Sequence, residues 1–286
     1  MIGPGHGGDG SGQPVPGWAG IGSTTLRDLR DGPGFGRPQL LTEHQLILVT
    51  VGHGTHEVDF SARQCRPGTL VWARPGQVVR CGGQPGLDAV VLCWDDRVAA
   101  GPPDTGGHWQ LAGEDEDAVI SEISQLVVDC RRHGPGRLAG DLLRHQLTVL
   151  LLRLALLPAT GESADCDTYR RLRDELERSY ATTRRVEDYA DRLRCSVRTL
   201  TRACLAATGR SAKQVIDDRV TLQAMRLLAA TDEPVADVGR RLGFPEPTNF
   251  GRFFQREVGW TPGGFRAAQP GRRGPSDPSS SGTRRP

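Results

Sequence analysis

The stretch from Arg184 to Arg266 contains one local pattern twice. In the first copy, VEDYADRLR (186–194) is followed by the turn CS and by VRTLTRACLAATG (197–209). In the second copy, VADVGRRLGF (235–244) is followed by PEP and by TNFGRFFQREVG (248–259). Each copy predicts a short helix, a tight turn and a second helix that begins with polar or basic residues. Between the copies, SAKQVIDDRVTLQAMRLLAA (211–230) predicts one continuous helix.

The second helix of each copy has an outer face suited to DNA. In the first copy we expect Ser196 to cap the helix and Leu200, Cys204 and Leu205 to face inward. Arginine can form bidentate contacts to guanine in the major groove, and threonine offers a hydroxyl and a methyl group. The predicted outer faces are Arg198, Thr199, Thr201 and Arg202 in the first copy, and Pro247, Thr248, Asn249, Gly251 and Arg252 in the second.

The predicted central helix sets the spacing of the two copies. About 18 residues at 1.5 Å each give roughly 27 Å. With the half-widths of the flanking helices, the two recognition helices are expected about 34 Å apart, which is one turn of DNA. Both can then enter successive major grooves on one face of the duplex.

Charge is distributed unevenly along the chain. Residues 168–273 contain 21 Arg and Lys against 13 Asp and Glu, a net charge of +8. The remainder contains 15 against 21, or −6, because the whole chain has 36 and 34. A basic part beside an acidic part indicates that only the former meets a polyanion.

The segment from Leu40 to Trp94 predicts β-structure. Short runs rich in Val and Leu are separated by Gly- and Pro-containing turns, which is typical of a small antiparallel sandwich or barrel. An RPG turn, a strand and a PGQ turn resemble the jelly roll of cupin-like domains. We therefore predict a cupin-like β-barrel sensor over 21–112. The expected strands are 44–52, 56–62, 69–73, 78–81 and 88–94.

Two other functions, enzymatic and redox, are considered for this predicted barrel. His44, His53 and His56 are close in sequence, but their spacing with Glu57 does not suit a cupin metal site, and turn or surface positions are favoured. Cys65, Cys81 and Cys93 lie in predicted strands, where small apolar core residues are expected rather than redox-sensing thiols. We expect no enzyme activity, no metal and no cofactor.

Residues 113–157 predict two helices. Ile120, Ile123, Val127 and Cys130 recur at helical spacing in the first. The second carries a wide leucine stripe that suits a dimer interface, or else packing on its neighbours: Leu138, Leu142, Leu143, Leu147, Leu150, Leu151, Leu154 and Leu157.

The remaining segments predict linkers and ends. Composition indicates a disordered leader over 1–20, a linker over 158–167 and a disordered tail over 269–286. No segment resembles a signal peptide or a membrane span, so a cytoplasmic protein is expected.

The C-terminal residues resemble the AraC/XylS family of transcription regulators. The resemblance rests on a run of about 100 residues: Arg219, Ala224, Leu227-Leu228, Gly243-Phe244, Phe250, Arg252, Phe253-Phe254, Gly259, Thr261-Pro262 and Phe265-Arg266. It implies a seven-helix, double helix-turn-helix DNA-binding domain over 168–268. Three departures are Ala212 in place of a usual proline, Val215 in place of an aromatic residue, and the pair Pro247 and Gly251, which leaves the second recognition helix poorer in hydrogen-bonding groups.

The resemblance also implies a role for the whole chain. An α+β, two-domain regulator is expected, in which the N-terminal domain senses a small molecule and forms a homodimer. Promoter DNA and RNA polymerase are the implied partners, and activation is the family's commoner mode. By position, Arg198, Thr201 and Arg202, and then Pro247, Thr248, Asn249 and Arg252, match the family's DNA contacts.

Overall fold

The computed structural model describes residues 17, 19–32, 34–82, 84, 86–99, 107–157 and 167–270. The chain divides into two compact units, Met1–Ser163 and Ala164–Pro286. The expected leader, linker and tail lie almost wholly outside the described residues.

The N-terminal unit combines strands with helices. Its elements are β1 (Ile21–Thr25), α1 (Leu26–Arg30), β2 (Gln39–Leu40), β3 (His44–Val51), β4 (Gly54–Val58), β5 (Ser61–Cys65), β6 (Thr69–Ala73), β7 (Val78–Cys81), β8 (Asp88–Trp94), β9 (Gly107–Gln110), α2 (Gly113–Arg132) and α3 (Arg137–Leu156).

These strands form two antiparallel sheets, ordered β1-β8-β3-β6-β9 and β2-β7-β4-β5. The central strand β3 is buried on both faces, because successive side chains point to opposite sides of a sheet. Leu46 and Leu48 pack in a core with residues of α2 and α3, whereas Ile47 and Val49 pack with Cys65 in a second cluster. Among the described residues the hydrogen bonding gives two sheets, and the expected closed barrel is not formed.

The predicted strand over 56–62 is wrong, because it contains a hairpin turn. Asp59 and Phe60 have φ of 49° and 65°, and Val58 pairs with Ser61 across the turn. Two left-handed residues in succession give the twist that two-residue hairpins need. Polar and apolar residues continue to alternate through the turn, as they do in a strand. The sequence pattern therefore does not reveal where the first strand ends.

The helices of this unit also differ in detail from the prediction. On α2 the buried positions are Val119, Ile123 and Leu126, so the apolar stripe is displaced by one residue and Ile120 is partly exposed. On α3 the predicted stripe separates into two faces. Leu143, Leu147, Leu150, Leu151 and Leu154 are buried, whereas Leu138 and Leu142 are exposed.

The described residues of the C-terminal unit form helices joined by short turns. Its elements are α4 (Asp167–Ser179), α5 (Val186–Arg192), α6 (Val197–Thr208), α7 (Ala212–Ala230), α8 (Val235–Arg241), α9 (Pro247–Val258) and α10 (Pro262–Ala267). The predicted continuous central helix is confirmed as α7. In the described part of the chain, no helix has both the length and the apolar character needed to cross a membrane.

Candidate nucleic-acid interface

Helices α5 and α6 form the first copy of the repeated motif, and α8 and α9 form the second. The two helices of each copy meet closely at a small residue. Ala190 of α5 is buried, and its counterpart on α8 is Gly239. A Cβ atom on Gly239 would lie 3.0 Å from Cβ of Phe250, which is tighter than ordinary van der Waals contact. A side chain at Gly239 would therefore displace Phe250 by a few tenths of an ångström, whereas the first copy accepts alanine at the corresponding position.

The turns of both copies pass through a left-handed residue. In the first copy this residue is Arg194, with φ of 53°, and in the second it is Gly243, with φ of 79°. The amide of the next residue donates to the carbonyl oxygen of Ala190 or of Gly239, at 3.0 Å in both copies. The left-handed glycine and the buried Phe244 predicted for the second copy are confirmed.

Helix α6 begins at a side-chain cap. Ser196 Oγ accepts a hydrogen bond from the Thr199 amide at 3.0 Å, as predicted, which satisfies one of the free donors at the helix start. Leu200 and Cys204 are buried, but Leu205 is about half exposed, so its predicted inward position is wrong. Ala203 takes the inward position beside Cys204 instead.

The expected DNA-contacting residues of α6 lie on its accessible side. Arg198 and Arg202 are exposed, and Thr199 and Thr201 are half-buried. Because residues four apart are neighbours on a helix surface, the two guanidinium groups share one face. Thr199 Oγ1 lies 2.8 Å from Ser196 Oγ, so this hydroxyl already contributes to the cap.

Helix α9 begins differently from α6. Its N-cap residue is Glu246, which makes no side-chain cap hydrogen bond, and Pro247 lies in the first turn. Proline suits this position because the missing N–H would have no partner inside the helix. Thr248, Asn249 and Arg252 are exposed. The inward face consists of Phe250, Phe253 and Phe254.

The two recognition helices correspond residue by residue when they are aligned at their C-caps, Gly209 and Gly259. Arg202 then matches Arg252, and Arg198 matches Thr248. Thr201 matches Gly251, which has no neighbouring atom within 4 Å of a built Cβ. Both outer faces thus carry an arginine at the same position. The outer face of α6 has one more arginine and one more hydroxyl than that of α9.

Charge compensation separates the recognition arginines from the rest of the unit. Arg198, Arg202 and Arg252 have no carboxylate, hydrogen-bond or aromatic partner among the described residues, and the same is true of Arg194. Every other arginine of the described segment 167–270 has an interaction partner there. Unpaired guanidinium groups are thus concentrated on the two motif copies, where a polyanion can neutralise them.

Neighbouring arginines show the contrast. Arg256 follows Arg252 by one helical turn, and it pairs with Asp217 at 3.6 Å and with Glu257 at 2.6 Å. Arg241 pairs with Glu233 at 3.4 Å. These side chains connect helices of the protein, whereas that of Arg252 remains available.

A half-buried arginine packs against the aromatic residues of the second copy. The guanidinium of Arg184 lies 3.5 Å from the centroid of the Phe244 ring. Burial lowers the pKa of Arg184, although the nearby Asp217 carboxylate opposes this effect. The stacked arrangement fixes Phe244 under the recognition helix.

Histidines of the N-terminal unit are less exposed than predicted. Of the three histidines weighed as metal ligands, His44 and His56 are buried and His53 is exposed. His44 Nδ1 accepts from Trp72 Nε1 at 3.2 Å and its Nε2 lies 3.0 Å from Asp96. Within the described segments, no group of three or more His, Cys, Asp or Glu residues is arranged to hold a metal ion.

The thiols of this unit are unreactive in character. Burial raises the pKa of Cys81 and of Cys93 to about 12, and it also raises the pKa of Cys65. The thiolate is the form that reacts with oxidants, so these cysteines are poorly suited to redox sensing near neutral pH.

Comparisons with known proteins agree with this interface. A helix-turn-helix domain model matches residues 189–268. The HTH-type transcriptional activator RhaS of Citrobacter koseri is 28% identical over 164 residues, which are 56% of this chain and 57% of that protein. RhaS of Escherichia fergusonii is 25% identical over 231 residues, 77% of this chain and 83% of the relative. The match thus spans little more than half the length of the first of these relatives.

Two solved structures are also similar to parts of this chain. ToxT from Vibrio cholerae O395 is 10% identical, with a TM-score of 0.45 over 85% of this chain and 95% of ToxT. The DNA-binding domain of AdpA, solved with a target DNA, is 33% identical over 35% of this chain and 90% of that domain, with a TM-score of 0.32. The matched helix-turn-helix domain and the RhaS relatives support the AraC/XylS family of transcription regulators as the family that this chain resembles.

Proposed function

We propose that the protein is a sequence-specific DNA-binding transcription regulator. The supporting observation is the pair of helix-turn-helix copies whose outer faces carry Arg198, Arg202 and Arg252. These three arginines are unpaired among the described residues, and in the segment 167–270 only Arg194 shares this property. The family's seven-helix, double helix-turn-helix description fits α4 to α10. The activator names of the RhaS relatives favour activation. The family resemblance implies promoter DNA and RNA polymerase as the partners.

The two recognition helices are proposed to divide the work. Arg198, Thr201 and Arg202 offer bidentate donors and a hydroxyl, which suit base reading in the major groove. In the second copy Gly251 contributes no side chain and Pro247 no amide donor. Thr248, Asn249 and Arg252 then serve mainly to hold the DNA backbone, which fixes position rather than sequence.

The N-terminal unit is proposed to be a cupin-like sensor of a small molecule. A cavity of about 20 Å³ is lined by residues of both sheets, including Ile47, Val79 and Val91, together with Phe35 and Gln45. This volume is close to what one water molecule needs. An effector would therefore have to separate the sheets on binding.

Helix α3 is proposed to mediate homodimerisation through its exposed face. Its exposed apolar side chains, with His145 among them, follow a spacing of four and three residues along the helix, which is the heptad pattern of a two-helix seam. This face is opposite to the buried leucines. The seam consists of Leu138, Leu142, His145, Val149, Leu152 and Leu156.

A charge placed in this seam tests the dimer. The variant Leu152→Glu is expected to sediment as a monomer at concentrations where the wild type is dimeric, because a buried carboxylate would be unpaired. The matched control is Thr148→Glu, an exposed position next to the seam on the same helix. A dimer that persists in Leu152→Glu would contradict the assignment.

The DNA-binding role is tested at Arg202, whose counterpart in the second copy is Arg252. Arg202→Ala is expected to weaken binding to a duplex selected by the wild-type protein by about 1–3 kcal/mol. Arg241→Ala is the matched control, because Arg241 is equally accessible but paired with Glu233. Equal binding by the wild type and Arg202→Ala in a gel-shift titration would overturn the residue assignment.

A further inference from the structure

Arg194 is the left-handed residue in the turn of the first copy. Its φ of 53° lies in a region that residues other than glycine rarely adopt. The second copy has Gly243 at the same place, with the same hydrogen bonds closing the preceding helix. The turn therefore needs this backbone conformation in both copies, and in the first it is adopted by a long charged side chain.

The backbone gives no reason for arginine at this position. Glycine adopts a left-handed conformation at no steric cost, and asparagine and aspartate adopt it more readily than other side chains do. A Cβ on Gly243 would lie 2.5 Å from the carbonyl oxygen of Ala181, so the second copy also excludes a side chain by contact. Arg194 is exposed, and its turn accommodates the side chain.

Contacts within the protein give no reason either. Among the described residues Arg194 has no carboxylate, no hydrogen-bond acceptor for its guanidinium and no aromatic ring. The nearby Arg192 is different, because its Nη1 lies 3.0 Å from Glu175 Oε1. A residue that is unfavourable for the backbone and lacks a partner among the described residues is best explained by a partner outside the protein.

The position of Arg194 identifies that partner. It lies two residues before Ser196, which caps α6, and the unpaired Arg198 and Arg202 follow on that helix. We propose that Arg194 binds a phosphate of the DNA backbone beside the major groove that α6 enters, an inference that rests on the proposed function. A flexible charge in the turn fixes position without reading bases. The second copy, with Gly243, has no equivalent contact.

The experiment measures the salt dependence of binding by the full-length protein. The probes are mixed-sequence double-stranded DNA and a duplex selected by the wild type from a random library. Each phosphate contact contributes about 0.9 to the slope of log affinity against log salt. Arg194→Gly is therefore expected to reduce the magnitude of this slope by about 0.9 and to weaken binding to both duplexes by a similar factor. Arg194→Lys is expected to retain the wild-type slope.

Two controls separate the contact from other effects. Urea unfolding of Arg194→Gly is expected to show no loss of stability, because glycine suits the turn. Arg178→Ala removes an exposed arginine that pairs with Glu175 on α4, and its slope is expected to equal that of the wild type. If Arg178→Ala lowers the slope as much as Arg194→Gly does, the effect is one of net charge and the inference is wrong.

The remaining outcomes are distinct. A wild-type slope in Arg194→Gly overturns the phosphate contact while leaving the proposed function intact. Loss of affinity for the selected duplex alone also overturns it, because that result indicates base reading. If the wild-type protein binds neither duplex, the proposed function fails, and this inference fails with it.

Discussion

The first helix-turn-helix copy presents two arginines and hydroxyl groups on its outer face. The second presents one arginine with Thr248 and Asn249, and it is built on aromatic packing. Cys204 of α6 corresponds to Phe254 of α9, and Ala203 corresponds to Phe253. The ring of Phe254 lies 6.0 Å from that of Phe250 and 5.5 Å from that of Phe265. The same backbone plan therefore supports two different tasks, with the stronger packing in the copy that has the plainer outer face.

The packing difference predicts the largest effect. Phe254→Ala is expected to cost about 3–5 kcal/mol of unfolding free energy, because a large buried ring is replaced by a cavity. The matched variant Cys204→Ala removes only a small buried group and is expected to cost about 1 kcal/mol. Equilibrium urea denaturation measures both. Similar losses of unfolding free energy in the two variants would show that the aromatic cluster does not stabilise the second copy more than the first is stabilised.

The turns predict an effect of intermediate size. Gly243→Ala combines a left-handed alanine with the contact to the Ala181 carbonyl, so a cost of about 2–4 kcal/mol is expected. Arg194→Ala in the first copy is the control, and its stability is expected to remain within about 0.5 kcal/mol of the wild type. Thermal unfolding measures both variants, and equal stability of the two would contradict the expected difference between the turns.

The caps predict the smallest effect. Ser196→Ala removes the acceptor of the Thr199 amide and is expected to cost about 1 kcal/mol. Glu246→Ala is expected to be nearly neutral, since that side chain makes no cap hydrogen bond. Hydrogen exchange of the first-turn amides checks this locally. A larger increase in exchange of the α9 amides in Glu246→Ala than of the α6 amides in Ser196→Ala would reverse the expected order.

Local signals explain why most of the C-terminal helices can be predicted. Ser196 and Ser211 cap α6 and α7, Gly209 and Gly259 end α6 and α9, and Thr261 caps α10. Each of these residues acts on neighbours within a few positions, so the sequence alone determines the boundary. The outward positions of Arg198 and Arg202 follow from the same helical period.

Features that depend on distant contacts could not be predicted. The exposure of Leu205 depends on which neighbouring helix covers α6, and the displaced stripe of α2 depends on how it meets the sheet. The burial of His44 depends on Trp72 and Asp96, which are remote in sequence. Arg194 is not among the predicted contact residues, although its alignment with Gly243 in the repeat is a usable signal.

The most direct test of the account compares base preferences at the two half-sites. Duplexes are selected from a random library by the wild type, by Arg202→Ala and by Arg252→Ala, and the bases retained at each position are sequenced. We predict two half-sites about one DNA turn apart, with strict preferences in one half-site that Arg202→Ala relaxes. Arg252→Ala should weaken binding without changing those preferences. Equally strict preferences in both half-sites, or preferences altered only by Arg252→Ala, would contradict it.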